Sequence, residues 1–256
     1  MTDLIVRQVA DGVMTIRMNR PEKKNALTVA MYEGLSAAIR EAEADDAVRV
    51  MLIRGADGVF CAGNDIQDFL QWPPFDESSP VVQFLMNLIG ARKPVVAAVQ
   101  GPAVGIGTTM LLHCDLVYAG ESARFQLPFV NLALVPEAGS SLILPQIFGH
   151  QRAAELLMLG EPFDAEKAQA AGFVTAIHPD TEVQAVAAGA AAALAAKPPH
   201  ALRLTKALLK RASQPAIAEA VQIEAGHFAD LLRSPEALEA FTAFMERRQP
   251  DFSKFA

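Results

Sequence analysis

Apolar residues recur along this chain in two rhythms, and the passage from one to the other organises it. In the first half, short β-rich runs alternate with helical patterns. Residues 5–9 and 13–18 flank Asp11-Gly12 and predict a hairpin. Thr28 is a good N-cap, with Met31, Leu35, Ala38 and Ile39 on one face of the helix it opens. Residues 48–53, 95–99 and 116–119 are short and almost wholly apolar, as expected of strands covered on both sides in a parallel sheet. Strand, helix and strand in series argue for an α/β fold. Past Pro145 the pattern predicts helices only, over 151–159, 165–171, 182–196, 201–211, 217–232 and 235–247. The last three follow Lys197-Pro198-Pro199, read as a linker that divides a core, 1–196, from a helical region, 197–256. Ile223, Phe228, Leu231, Leu232, Leu238, Phe241 and Phe244 lie on the apolar positions of those helices and need a covering surface. A neighbouring subunit would supply it. The alanine-rich stretch of 183–196 reads as helix propensity alone.

Composition narrows the function classes. The 256 residues are 52% hydrophobic and 20% charged, enough to bury a sizeable core. A net charge of −7 offers no long-range attraction to nucleic acid or to an anionic membrane, so neither is an expected partner. Cys61 and Cys114 lack metal-ligand spacing and read as buried thiols in a reducing compartment, with the cytoplasm as the default. The five histidines do not cluster, and no metal is expected.

One group stands out chemically. Glu137 is the only ionisable residue in 125–141, placed after Pro136 and before Ala138-Gly139-Ser140-Ser141 at the head of an expected helix. A lone carboxylate in an apolar pocket is a candidate acid/base group. Two glycine-bearing turns upstream, Val59-Phe60-Cys61-Ala62-Gly63-Asn64-Asp65 and Gly101-Pro102-Ala103-Val104-Gly105-Ile106-Gly107, can each present a backbone N–H to a developing oxyanion. One base and two amides suffice for proton transfer beside a carbonyl. Ser140 and Ser141 lack a nucleophile turn and read as capping hydroxyls, and Asp65 as a residue bonding its own turn.

The chain also resembles the crotonase superfamily, the enoyl-CoA hydratase/isomerase family. The resemblance runs almost end to end through Asn19-Arg20-Pro21, Asn25-Ala26-Leu27, Phe60-Cys61-Ala62-Gly63-Asn64-Asp65, Gly105-Ile106-Gly107 and Cys114-Asp115-Leu116. It continues through Gly160, Ala165 to Gly172-Phe173-Val174, Glu236 to Phe241, and Glu246-Arg247-Arg248 with Pro250 and Phe252. It implies an α/β spiral of ββα units, a C-terminal helical trimerisation region, and a homotrimer or dimer of trimers. The implied ligand is an acyl-CoA thioester, with coenzyme A as part of the substrate and no separate cofactor. Its carbonyl oxygen would lie between the N–H groups of Ala62 and Ile106, and Lys24, Ala26, Gly63, Asn64, Asp65 and Ile66 would line its site. Lys23 and Lys24 fall where the family contacts the adenine nucleotide, and Lys206 or Lys210 would reach a phosphate.

The resemblance also separates reactions. Hydratases of the family hold a water between two glutamates, which fall here on Thr109 and Phe129, and neither residue can take a proton. Pro128-Phe129, Pro136-Glu137 and Ser140-Ser141 instead resemble the peroxisomal-type Δ3,Δ2-enoyl-CoA isomerase branch, in fatty acid degradation. Hydratase or another crotonase-type reaction is the alternative enzyme. A non-catalytic acyl-CoA-binding protein or an assembly subunit is the alternative of another class. The loop through Leu70, Gln71, Trp72, Pro73, Pro74, Phe75 and Asp76 is expected to help shape the acyl pocket.

Overall fold

A computed structural model describes residues 3–56, 58–69 and 78–255, so the 70–76 loop lies outside the described residues. The expected hairpin forms from β1 (Ile5–Ala10) and β2 (Val13–Met18), and Thr28 caps α1 (Val29–Ala44) by accepting from the Met31 N–H. The chain then enters β3 (Val50–Gly55), α2 (Ile66–Phe69), α3 (Pro80–Ile89), β4 (Val95–Val99), β5 (Pro102–Val104) and α4 (Ile106–Thr109). Next come β6 (Leu116–Gly120), β7 (Arg124–Gln126), α5 (Ser140–Phe148), α6 (His150–Ala154), β8 (Phe163–Asp164), α7 (Ala165–Ala170), β9 (Ala176–His178) and α8 (Val183–Ala195). Three long helices close the chain: α9 (Pro199–Lys210), α10 (Gln214–Leu231) and α11 (Pro235–Glu246).

The main sheet runs in the order β1-β2-β3-β4-β6-β9 and is parallel apart from the β1–β2 hairpin; β5, β7 and β8 form a smaller sheet. Two strands, β8 and β9, correct the reading of helices alone past Pro145. They are two and three residues long, too short for a periodicity to register. Glu155–Leu159, read as part of one helix, is a single turn of π-helix continuing α6.

Alternation along β3 and β4 explains why both sheet faces are buried. Met51, Ile53, Val95, Ala97 and Val99 face the large core beneath α1 and α3, whereas Val50, Leu52, Val96 and Ala98 face Ala187, Ala191 and Ala195 of α8. The alanines of α8 are therefore more than good helix formers, because their small side chains let the helix lie close on the sheet.

The C-terminal helices join the same core. Val221 and Phe228 of α10, with Ala237 and Phe241 of α11, pack in the apolar cluster that contains the strands. Phe228 and Phe241 are thus covered within the chain, a correction to the expectation that a second subunit covers them, while Ile223, Leu238 and Phe244 remain exposed. The expected linker shrinks as well, since Pro199 is already the first residue of α9, a position where its missing N–H costs nothing. Lys206, itself buried, anchors α9 through an ion pair with the more exposed Asp115 at 2.6 Å and a bond to the Lys93 carbonyl at 2.8 Å. No helix among the described residues is long and apolar enough to cross a membrane.

The two glycine-bearing turns meet because the residues after β3 pair with β5. Cys61 N–H donates to the Pro102 carbonyl at 3.0 Å and Val104 N–H to the Cys61 carbonyl at 2.9 Å. The fit leaves no room at Gly107, where a Cβ would stand 2.5 Å from the Cys61 carbonyl oxygen. Gly107→Ala should push the turns apart and destabilise the protein by about 1–3 kcal/mol, read from urea unfolding. An unchanged unfolding midpoint contradicts that packing.

Candidate active site

Between these turns and the C-terminal helices lies a cavity of about 830 Å³. Ala62, Gly63, Asn64 and Ile106 line it from the turns, Phe129 and Glu137 from the chain after β7, and Val221, Phe228 and Phe241 from α10 and α11. Lys23, Gln67, Arg247 and Arg248 line it where it reaches solvent. The wall around Glu137 is predominantly apolar, and Phe129 is buried in it.

Glu137 does not head a helix, as its Pro-Glu context suggested. Helix α5 begins three residues later, because Ala138 and Gly139 both take left-handed backbone, φ 61° and 72°. Such a conformation is strained for alanine and persists only where surroundings impose it. The surroundings do so here. The fully buried His113, neutral with its pKa lowered to about 4 chiefly by burial, donates from Nε2 to the Ala138 carbonyl at 2.8 Å. The Gly139 and Ser141 N–H groups donate to the two oxygens of Glu224, at 2.6 and 2.9 Å.

Protein surrounds the Glu137 carboxyl except toward the cavity, to which the residue keeps partial exposure. Burial raises its pKa from 4.5 to about 8, the hydroxyl of Thr109 opposes the rise by donating to Oε1, and the charge of Glu224 adds to it. Thr109 thus takes a part that its inability to carry a proton did not suggest: it orients and partly stabilises the neighbouring carboxylate. Nearby, the buried Tyr32 hydroxyl donates to Asn64 Oδ1 at 2.6 Å, and burial lifts the Tyr32 phenol well above its usual range and the Cys61 thiol to about 12. Both stay neutral near pH 7, which leaves Glu137 as the group beside them that changes charge there.

Ile106 opens α4, and its N–H has no acceptor among the described residues, as an oxyanion donor requires. Ala62 differs from the expectation, since its N–H already donates to the Lys24 carbonyl at 3.0 Å. Asp65 accepts from the N–H groups of Gln67 and Asp68 in its own turn and pairs with Arg20 at 2.7 Å, so it shapes the turn rather than waiting as a free base. Ala26 and Ile66 line the cavity.

Of the lysines expected near coenzyme A, Lys23 lines the cavity, as expected of it, and Lys24 is exposed outside that lining. Lys206 is committed to Asp115, and Lys210 approaches the His113 carbonyl at 3.5 Å. Cys114, read as buried, is only half-buried. Missed altogether was Glu224, although Val221, Glu224 and Phe228 follow a helical spacing on which a carboxylate among apolar residues was a visible anomaly.

Comparison with known proteins agrees with this architecture. The sequence pattern of the family described as Enoyl-CoA hydratase/isomerase matches residues 8–254. The chain belongs to the enoyl-CoA hydratase/isomerase family. It is 33% identical to the 1,2-epoxyphenylacetyl-CoA isomerase of Escherichia coli K12, over 99% of each chain. It is 32% identical to the 2,3-dehydroadipyl-CoA hydratase of the same organism, over 98% of this chain and 99% of that one. Among solved structures, Pseudomonas aeruginosa OdaA is 49% identical and superposes with a TM-score of 0.93 over 96% of this chain and 100% of that one. Enzymes named for isomerisation and for hydration thus lie at the same distance within the family, whose members process acyl-CoA thioesters.

The raised pKa has a thermodynamic consequence that needs no substrate. Because the folded chain keeps a proton on Glu137 that the unfolded chain releases above 4.5, the resulting stability is full below 4.5 and is lost as the pH rises through about 8. Glu137→Gln is neutral throughout, so its melting temperature should gain on the parent's between pH 4.5 and 8 and then level off. A difference that stays flat across that range, by differential scanning fluorimetry, removes the perturbed carboxyl from the account.

Proposed function

We propose that this protein is a Δ3,Δ2-enoyl-CoA isomerase that shifts a double bond by proton transfer through a thioester enolate. The observation that carries the reading is that, among the described residues, a single proton-holding carboxylate, Glu137, faces an apolar cavity, while the other family acid/base positions are Thr109 and the buried Phe129. Hydration requires both a base for water and an acid for Cα. Isomerisation requires one group that takes a proton and gives it back.

In this reading the thioester oxygen rests against the Ile106 N–H at the opening of α4, where the amide is unclaimed and the helix terminus favours negative charge. Ala62 supplies the second donor by sharing its N–H with the Lys24 carbonyl in a three-centre bond. Glu137 then removes the proton from C2, the dienolate charge collects on the thioester oxygen, and the same carboxyl returns the proton at C4. A pKa near 8 suits both halves, since a strongly acidic carboxyl would be a poor base and would lose its proton before the return. Phe129 and its apolar neighbours keep water from the intermediate. Lys23 and Arg247, on the solvent side of the cavity, suit the phosphates of coenzyme A. Ala26, Gly63, Asn64, Asp65 and Ile66 line the path between. The exposed Leu208, Leu209 and Ile223 of α9 and α10 are consistent with the homotrimer or dimer of trimers that the resemblance implies.

The assignment is tested by supplying 3-enoyl-CoA and 2-enoyl-CoA separately and following both products. Glu137→Gln should lose about 100- to 10,000-fold in kcat for isomerisation. In the parent, kcat/KM should rise with pH along a limb centred near 8, because the free enzyme must first release the proton that burial retains. Rapid hydration of the 2-enoyl thioester, unimpaired in Glu137→Gln, would falsify the reading. Replacing Lys23 and Arg247 with alanine should raise KM while leaving kcat nearly unchanged, as expected when binding common to ground and transition states is removed.

A further inference from the structure

We propose that Glu224, on the C-terminal helix α10, is a positioning residue for Glu137, acting through the backbone of residues 138–141. The inference rests on the isomerase reading for its kinetic consequence, although the linkage itself is a property of the folded chain. Glu137 sits at the start of a turn whose next two residues are left-handed, so the direction of its side chain follows the orientation of the Ala138 and Gly139 peptide planes. The single peptide plane that joins Ala138 to Gly139 is gripped from opposite sides. His113 holds the Ala138 carbonyl, while Glu224 takes the Gly139 N–H on one oxygen and the Ser141 N–H on the other. Thr109 fixes the carboxyl itself.

Glu224 can do this because α10 lies directly against the turn. A Cβ on Gly139 would stand 3.2 Å from Ile217 Cγ2, and Glu224 is 5% exposed, so its position is set by packing rather than by solvent. Burial raises the pKa of Glu224, and the Ser141 hydroxyl with the Ser141 and Gly139 N–H groups opposes that rise by donating to the ionised form. A second effect accompanies the first. Among the described residues, Glu224 is the like charge that acts on Glu137; the other groups beside Glu137 are the neutral hydroxyl of Thr109 from α4, the Tyr32 phenol from α1 and the Cys61 thiol from the turn after β3. Ionising Glu137 therefore places two carboxylates near one another, and this helps the catalytic group retain its proton. Besides walling the cavity, helix α10 thus helps to set both the aim and the proton affinity of the acid.

A merely structural cap would lower stability without moving either property. Two variants of the full chain separate the possibilities: Glu224→Gln removes the charge and puts an N–H donor where an acceptor is needed, and Glu224→Asp keeps the charge but shortens the reach. The first readout is the infrared band of the protonated Glu137 carboxyl, assigned by its loss in Glu137→Gln and titrated without substrate. Its midpoint, near 8 in the parent, should move to lower pH in Glu224→Gln and remain high in Glu224→Asp. The second is isomerisation of a 3-enoyl-CoA, where both variants should lose about 10- to 100-fold in kcat with little change in KM, the expected effect of misaiming a group that does chemistry.

Should Glu224→Gln prove too unstable to purify, Glu224→Asp decides on its kcat alone. A midpoint and a kcat that both ignore Glu224, in variants that only melt earlier, overturn the proposal while leaving the isomerase reading intact. A parent that does not isomerise, but whose Glu137 midpoint still answers to Glu224→Gln, overturns the isomerase reading while leaving the linkage intact.

Discussion

Ionising a carboxyl that faces an apolar cavity costs free energy, and the arrangement around Glu137 follows from how that cost is shared. In water the group would release its proton near 4.5; walled in beside Phe129 it holds the proton to about 8. Such a group is useful only if its carboxyl cannot rotate away to find solvent. Thr109 prevents this at the side chain, and the left-handed Ala138-Gly139 turn prevents it at the backbone. The turn in turn needs His113 and Glu224, which come from the stretch after α4 and from α10. Removing any of these supports leaves a buried polar group unsatisfied as well as a loosened acid.

The frame was legible in the residues wherever local chemistry alone decides structure. The hairpin at Asp11-Gly12, the Thr28 cap and the apolar runs of β3, β4 and β6 need no long-range information, and each forms within a residue or two of its expected bounds. The opening of a helix at the Gly105-Ile106-Gly107 turn was legible too, because the glycines mark where the strand gives way to it. What the residues did not disclose was whatever depended on distant partners. β9 is strand only because β6 offers it an edge at Tyr118 to Gly120, and nothing in Ala176-Ile177-His178 marks it out. The Ala62 amide is occupied by a carbonyl 38 positions earlier in the chain. Glu224 closes on a turn more than 80 residues before it, a distance over which only the fold can bring two groups together.

The lysines show the same limit from the side of charge. Lys23, Lys24, Lys206 and Lys210 carry one functional group and one formal charge, so composition cannot rank them as anion ligands. The fold ranks them by what each already holds. Lys206 has exchanged its water for Asp115 and the Lys93 carbonyl, and recruiting it to a phosphate would strand Asp115. Lys23 makes no such commitment among the described residues and stands on the cavity lining. Availability, more than sequence position, separates a binding lysine from a structural one.

Thr109 shows why the choice between one and two acids is made by the pocket as a whole. A carboxylate at 109 would lie against Glu137, and with Glu224 already nearby a third negative charge would have to share one desolvated region. Like charges so placed cannot all ionise, and at least one would stay protonated near neutral pH. The threonine removes that conflict and supplies a donor to the acid that remains, opposing the pKa rise without abolishing it. Phe129 completes the change by putting a hydrocarbon face where a second acid would anchor water. The two substitutions support each other: without the first the remaining acid would share its proton, and without the second the enolate would meet solvent before the proton returned.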